Sequence, residues 1–453
     1  MNTKLHSTKT ITPLTGSVRV LIAGLVLAVT SAAFARDVAE RVAAPPAAQP
    51  TGSRIEIRTP DDALRTGFDY LLKQQQGDGG WGQGGGWRQN EKGGGRVEGL
   101  NVEDRADLGN TCVTLVAMLR AEDARLKGEY RDAVRKAFDF ICKQVEKSDA
   151  DSLYATSIRD TQLQVKIGTY VDTFLAGWAL SELKGRLHDE ALEKRRAAAL
   201  DKVVAKIERN QRKDGSFTEN KGWAAVLSQG LCSKALNSAA RSGAKVSNQV
   251  LATDNLQNTA GLDRVKGDFS APVAATEPST AGISLYREAA KLGGLREKTL
   301  SNVARKAEAE KKIADPAAPA AEKDRARADL RQFADDEKAS DVAQRAVAAK
   351  LGDGAFVAGF GNNGGEEFLS YMNLGESLRE RGGKEWDAWK TKMHATLCAA
   401  QNGDGSWAGQ HCITGRTFCT STALLTLLID RVPAGAALGA VKDVKATPTA
   451  AAK

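Results

Sequence analysis

The stretch Gln401-Asn402-Gly403-Asp404-Gly405-Ser406-Trp407 decides the reading of this chain, because it occurs three times. Gln75-Gln76-Gly77-Asp78-Gly79-Gly80-Trp81 and Gln211-Arg212-Lys213-Asp214-Gly215-Ser216-Phe217 share its pattern, Q-x-x-D-G-[GS]-[WF]. A fixed motif recurring along a chain marks an architecture built from repeated units. Each copy follows one helix-like segment and precedes another. Glycine after aspartate takes the left-handed conformation that ends a helix, the aspartate accepts from amides of the turn, and the aromatic folds back onto the helices.

Around these turns the pattern is helical. Apolar residues recur at three and four, and Val, Ile and Thr do not alternate over any long stretch, so the body is expected to be all-α. The chain has 453 residues, 42% hydrophobic and 26% charged, enough to bury a sizeable core. Its 64 basic and 56 acidic side chains give +8. Residues 1–35 hold Lys4, Lys9 and Arg19 and no acid, so 61 against 56 remain beyond them, or +5. That balance is too mild to point to nucleic acid.

The three motifs resemble the QW-type repeats of squalene and hopene cyclases and the related repeats of protein prenyltransferase β subunits. The resemblance implies an (α/α)6 toroid, inner helices ringed by outer ones, over residues 60–433. Outer helices then fall at 61–76, 129–147, 189–211, 246–263, within 296–351, and at 384–401. Inner helices fall at 107–121, 168–183, 222–240, 280–291, 365–378 and 417–429. The inner set is rich in Gly, Ala, Ser and Thr, as close packing around a central cavity requires. Two stretches depart from a minimal ring. Residues 77–99 hold eleven glycines in 23 positions and read as a mobile loop over the cavity mouth. Residues 297–350, rich in Ala and charge and broken by Pro316 and Pro319, read as a projecting, solvated helical hairpin.

The ends of the chain read differently. A basic leader ending at Arg19, the apolar run Val20 to Ala28 and the A-x-A pattern Ala33-Phe34-Ala35 make residues 1–35 a signal peptide. The protein is therefore expected to be exported, periplasmic or secreted, with no membrane span after cleavage. Residues 36–59, with Pro45, Pro46 and Pro50 among alanines, read as a flexible linker, and 434–453 as a disordered tail.

Candidate chemistry is sparse. Cyclases of the resembled family protonate an alkene with a D-x-D-D motif; this chain offers Asp172 alone, at an inner-helix start. Glu366 and Glu367 open another inner helix, where the helix dipole favours acids in any case. With Asp172 and His411 they are the candidate catalytic residues, a polar centre able to act as acid and base. His411-Cys412 and Cys419 form a metal-capable cluster of the kind prenyltransferases use for zinc, but adjacent His and Cys rarely chelate one ion. In an exported chain with six cysteines, a Cys412–Cys419 disulfide across the turn at Gly415 is the expectation, with free thiols or a metal as the alternatives. No resident metal or cofactor is expected. The function expected is a binding module whose central cavity takes an apolar or extended small molecule or a glycan. The alternatives are a terpene cyclase or prenyltransferase-type enzyme, or a polysaccharide-active enzyme on an α/α barrel.

Overall fold

Thr59 starts the first helix: its hydroxyl accepts from the Asp62 amide at 3.2 Å, Pro60 takes the first helical position, and Asp61 and Asp62 follow in the first turn. This helix, α1 (Pro60–Gln74), buries Ala63, Leu64, Gly67, Phe68 and Leu71 at helical spacing and ends at the first repeat motif. The computed structural model describes residues 58–87, 96–97, 103–121, 130–269, 284–353 and 364–431. The expected signal peptide, the linker up to residue 57 and the tail lie outside them.

The described residues are almost entirely helical. After α1 come β1 (Gly86–Trp87), β2 (Arg96–Val97), α2 (Leu108–Ala121), α3 (Tyr130–Lys147), α4 (Gln162–Lys166), α5 (Val171–Glu182), α6 (Glu190–Asn210) and α7 (Ala225–Arg241). Then follow α8 (Asn248–Thr259), β3 (Leu262–Asp263), β4 (Asp268–Phe269), α9 (Ser284–Ala314), α10 (Ala320–Lys350), α11 (Gly365–Arg381), α12 (Gly383–Ala400) and α13 (Arg416–Leu427). The strands form two small antiparallel pairs, β1 with β2 and β3 with β4. No described helix is long and apolar enough to cross a membrane.

Six helices carry the core. Every residue of α5 is buried, and nearly every residue of α2, α7 and α13. Helix α2 packs on α5, α5 on α7, α7 on α9, α9 on α11, α11 on α13, and α13 on α2 again. The amphipathic helices lie behind them: α3 on α2, α6 on α5, α8 on α7 and α9, and α12 on α11. Helix α1 packs on α13, so the first and last described helices meet.

The three repeat turns share one geometry. In each, the glycine after aspartate has φ near +90°: +91° at Gly79, +84° at Gly215 and +90° at Gly405. A Cβ on each would come within 2.5 Å or less of a carbonyl oxygen of a neighbouring helix: Lys136 in α3, Thr253 in α8, Thr66 in α1. No other residue suits both the conformation and the approach. Asp78, Asp214 and Asp404 each accept, at 3.0 Å, from the amide two residues on. The Trp81 indole donates to the Leu71 carbonyl at 2.7 Å and that of Trp407 to Leu397 at 2.8 Å, ten residues back in both cases. Phe217 lacks that donor and packs against Phe174. Gln75 donates to the turn and to Ala133 of α3; Gln401 does the same to its own turn and to Ala63 of α1. Gln211 departs from this pattern: its side-chain nitrogen Nε2 has no partner, and Gln229 donates to the Gly215 carbonyl in its place. Asp214→Ala should lower stability by about 1 kcal/mol, the size of one lost capping bond; an unchanged urea midpoint would refute that role.

Two expectations are corrected. The hairpin does not begin at residue 297, because α9 runs unbroken from Ser284 to Ala314 and its first half belongs to the core. Nor is it solvated all round: Ala326, Phe333, Ala339, Ala343 and Val347 of α10 form a buried stripe, and Asp336 is buried and accepts from Asn255, Asn302 and Gln332. The glycine-rich segment is not free of the body over 77–87. The Asp104 carboxylate accepts from the amides of Gln83, Gly84 and Gly85 at 2.9–3.1 Å and holds it there.

Candidate functional site

The residues singled out above gather at the N-terminal ends of the core helices, in two groups. Asp172, buried in the first turn of α5, accepts from the Gln164 side chain through Oδ2. Its neighbour is Asp107, a residue the pattern reading passed over. Asp107 precedes α2 and accepts from the Asn110 amide and side chain, both at 2.8 Å. Burial raises the pKa of both carboxyls, and the charge of Asp172 raises Asp107 further. Gly109 lets the two helices meet here: a Cβ would stand 2.5 Å from the Asp172 Oδ1.

The second group is Glu366, Glu367, Tyr286, His411 and Cys412. Glu366 and Glu367 are buried at the start of α11. Glu366 accepts weakly from the Ile413 amide at 3.4 Å through Oε2, and its Oε1 has no partner. Burial pushes its pKa up to about 7. The Tyr286 phenol is raised by burial and by the charges of Glu366, Glu367 and Cys412. His411 is exposed, with Nδ1 3.1 Å from the Cys412 Sγ. Partial covering of the ring and the charge of Lys166 lower the histidine, while burial and Glu366 push the Cys412 thiol up to about 11. A neutral imidazole beside a protonated thiol is not an activated nucleophile.

Asp172 does not join that group. The short helix α4 lies between: Gln164 donates to Asp172, and Gln162 donates to the Cys412 carbonyl at 2.8 Å and to the Thr414 hydroxyl at 3.1 Å. The expected Cys412–Cys419 bridge is not formed; all six cysteines are free. The buried Cys419 thiol donates instead to the Ile413 carbonyl at 3.6 Å, and Cys412 adopts φ +61° with its thiol toward His411. Among the described residues no three His, Cys, Asp or Glu side chains stand close enough to hold one metal ion.

Glu366 makes a test possible. Folded, it keeps its proton to about pH 7; unfolded, it releases it near 4.5. Between those values the folded state binds more protons, so its stabilisation is fully present below about 4.5 and is lost as the pH rises through 7. Glu366→Gln should shrink the loss of stability between pH 5 and pH 8 by about 3 kcal/mol. Equal pH dependence of the urea midpoint in both proteins would refute it.

A pocket with a charged wall lies elsewhere. It is lined from all six core helices or their ends: among others Arg120 of α2, Glu182 of α5, Arg241 of α7, Arg296 of α9, Glu376 of α11 and Ile429 just beyond α13. Its wall is an ionic network. Glu376 accepts from Arg120 at 2.6 Å, Lys234 at 2.7 Å and Arg296 at 3.4 Å. Glu297 accepts from Lys234 at 3.0 Å, Arg296 at 2.7 Å and Arg241 at 2.5 Å. Glu182 accepts from Arg120 at 3.2 Å and from the Trp178 indole at 2.9 Å. Arg120 and Lys234 both stand over the Trp178 ring, at 5.2 and 5.0 Å. Burial opposes charge on Glu297 and Glu376, yet the surrounding cations outweigh it and hold both below the usual carboxylate range.

None of these residues stood out in the sequence as chemistry. The signal present was Lys234, the one charge before the last residue of a helix otherwise made of small, apolar and uncharged polar residues. A charge placed so is buried, and a buried charge is paired.

No family model matches the chain, and no curated protein matches it. Among solved structures it is similar to a protein from Actinoplanes, at 14% identity, over 82% of this chain and 98% of that one, with a TM-score of 0.42. A likeness that weak carries no weight for fold or function.

Proposed function

We propose that this chain is an exported (α/α)6 toroid that serves as a binding module for a small polar ligand. The ring reading is supported by the cyclic packing of α2, α5, α7, α9, α11 and α13 and by the shared geometry of the three repeat turns. Export rests on the leader and the A-x-A pattern. One observation carries the binding reading: the pocket is lined from all six core helices, and its wall is charged. Such a wall does not suit the apolar ligand expected from the resemblance, because an apolar molecule would strip water from the network and return no hydrogen bonds.

The test is a thermal-shift screen of the full-length protein against polar metabolites and against isoprenoids, followed by hydrogen exchange on any compound that binds. Stabilisation by polar compounds, with protection around residues 120, 182, 241 and 296, is expected. Stabilisation by isoprenoids alone, or protection confined to the helix N-termini, would overturn it. A second reading, an acid–base enzyme, draws on Glu366, a buried carboxyl with one unpartnered oxygen. It requires turnover that Glu366→Gln abolishes.

A further inference from the structure

We infer that the short helix α4 is a lid over the N-terminal ends of α2 and α5, controlled by a proton that Asp107 and Asp172 share. The lid stays shut while the pair keeps that proton and lifts when both carboxyls ionise. The pair stands where α2 meets α5. Both side chains are buried and both reach one point: a Cβ on Gly109 would be 2.5 Å from the Asp172 Oδ1 and 3.6 Å from the Asp107 Oδ1. Their hydrogen-bond donors are neutral, Asn110 for Asp107, and the Gln164 side chain and Gly109 amide for Asp172. The charges around them give little relief. Asp104 adds a like charge to Asp107, and the Cys112 thiol below is itself raised by burial and by the pair. Arg159 is the cation that acts on Asp172, but its guanidinium is engaged by the Thr156 and Ile158 carbonyls and lies over the Tyr154 ring. Lys166 of α4 acts instead on Glu366, His411 and Cys412.

Helix α4 covers the pair. Its Gln162, Leu163 and Gln164 are buried while Val165 and Lys166 are half-buried, so one face looks inward and the other to solvent. The inward face lies on the pair itself: Leu163 would stand 2.9 Å from the same Gly109 Cβ. Gln164 ties the helix to Asp172, and Gln162 ties it to Cys412, Thr414 and Gly415. A helix of five residues has little stability of its own, so these side chains and the burial of Leu163 hold it in place.

Two carboxylates so close in a dry site do not both ionise readily, and the pair keeps a proton where free aspartates have lost theirs. Water must reach them before the second charge is tolerated. Lifting α4 admits it at the smallest cost, because α2 and α5 themselves stay packed in the core. The sign follows from the raised pKa of both groups. The shut state binds more protons, so closure is complete in acid and is lost as the pH rises through the raised values. Beyond them each pH unit favours the lifted state about tenfold per proton released. The groups of Glu366, His411 and Cys412 lie on the other side of α4, so the same movement uncovers them too.

Hydrogen exchange of the full-length protein at pH 6 and pH 8, corrected for the intrinsic rise of amide exchange with pH, reads the lid directly. Protection over residues 162–168 should fall about tenfold or more between the two, while Val203 and Val204 of α6 keep theirs. Asp172→Asn and Asp107→Asn, which keep the shape and remove the charge, should each abolish most of that fall. Glu366→Gln should leave it in place, because Glu366 belongs to the other group. Circular dichroism checks that each variant folds. Where neither asparagine variant folds, the parent decides: protection over 162–168 that changes no more than that of α6 overturns the inference. A fall that survives in folded Asp172→Asn, or one that Glu366→Gln abolishes, overturns it as well.

Discussion

Glu376→Gln should lower the free energy of unfolding by about 3–5 kcal/mol, the usual result of breaking a buried ionic cluster on one side. Glu376 is buried and accepts from three cations on three other helices, Arg120, Lys234 and Arg296. Two of those cations, Arg120 and Lys234, are nearly inaccessible. Their solvation is lost on folding whichever residue stands at 376, so the variant keeps the cost of burying them and loses the charge that offsets it. A glutamine carbonyl can still accept one bond, but it brings no charge. The effect should hardly change between low and high salt, since screening reaches buried pairs poorly. Glu308→Gln is the control. Its partner Lys312 lies one turn away on the exposed part of α9, and such a pair contributes about 0–1 kcal/mol. Paired urea denaturation curves decide the matter: a Glu376→Gln loss below about 1 kcal/mol, or one as salt-sensitive as the control, would mean that the network is open to water.

Trp407→Ala should cost about 3–5 kcal/mol, the range for deleting a large aromatic from a packed core. Trp407 is fully buried. Its indole donates to the Leu397 carbonyl of α12, and its amide donates to the Thr420 hydroxyl of α13. Its ring also lies against α1: a Cβ on Gly67 would stand 2.9 Å from the Trp407 ring and 2.8 Å from Leu424 of α13. The side chain thus fills the place where the first and last described helices meet. Its loss leaves a cavity there and a carbonyl without its donor. Native-state hydrogen exchange should show α1 opening at lower cost in the variant than in the parent, ahead of α5. A loss below about 1 kcal/mol, or exchange rising uniformly, would show that this junction does not hold the fold.

The helices were legible because their signals are local. Thr59-Pro60-Asp61-Asp62 caps α1, Asp189 caps α6, and each Q-x-x-D-G motif ends a helix within a few residues of where the pattern reading ended it. One boundary was misread. The Gly293-Gly294 pair and the charge-rich composition after residue 296 suggest a new, solvated element, yet α9 runs on through both glycines, whose place is set by close neighbours: a Cβ on Gly294 would stand 2.2 Å from Asn258. Charge density told of the solvent at its far end and not of the core at its base.

The candidate site was half legible. Glu366, Glu367, His411 and Cys412 were readable because two loop-to-helix junctions carry them, and tertiary packing brings Tyr286 to them. Asp107 was overlooked because a lone acid before a helix reads as a cap, which it also is. The Cys412–Cys419 bridge was inferred from spacing, and spacing says nothing of direction: one thiol turns to His411 and the other to the Ile413 carbonyl.

By itself, then, the sequence determined the helical class, most helix ends and the three turns, because hydrophobic period, capping and the left-handed glycine act over fewer than about ten residues. Only the tertiary structure decided the pocket. Arg120 and Glu376 are 256 residues apart, and Lys234 and Glu376 are 142 apart. Each is an ordinary charge on its own helix. They become a network only when the core helices bring them together at buried positions, where no charge can stand alone.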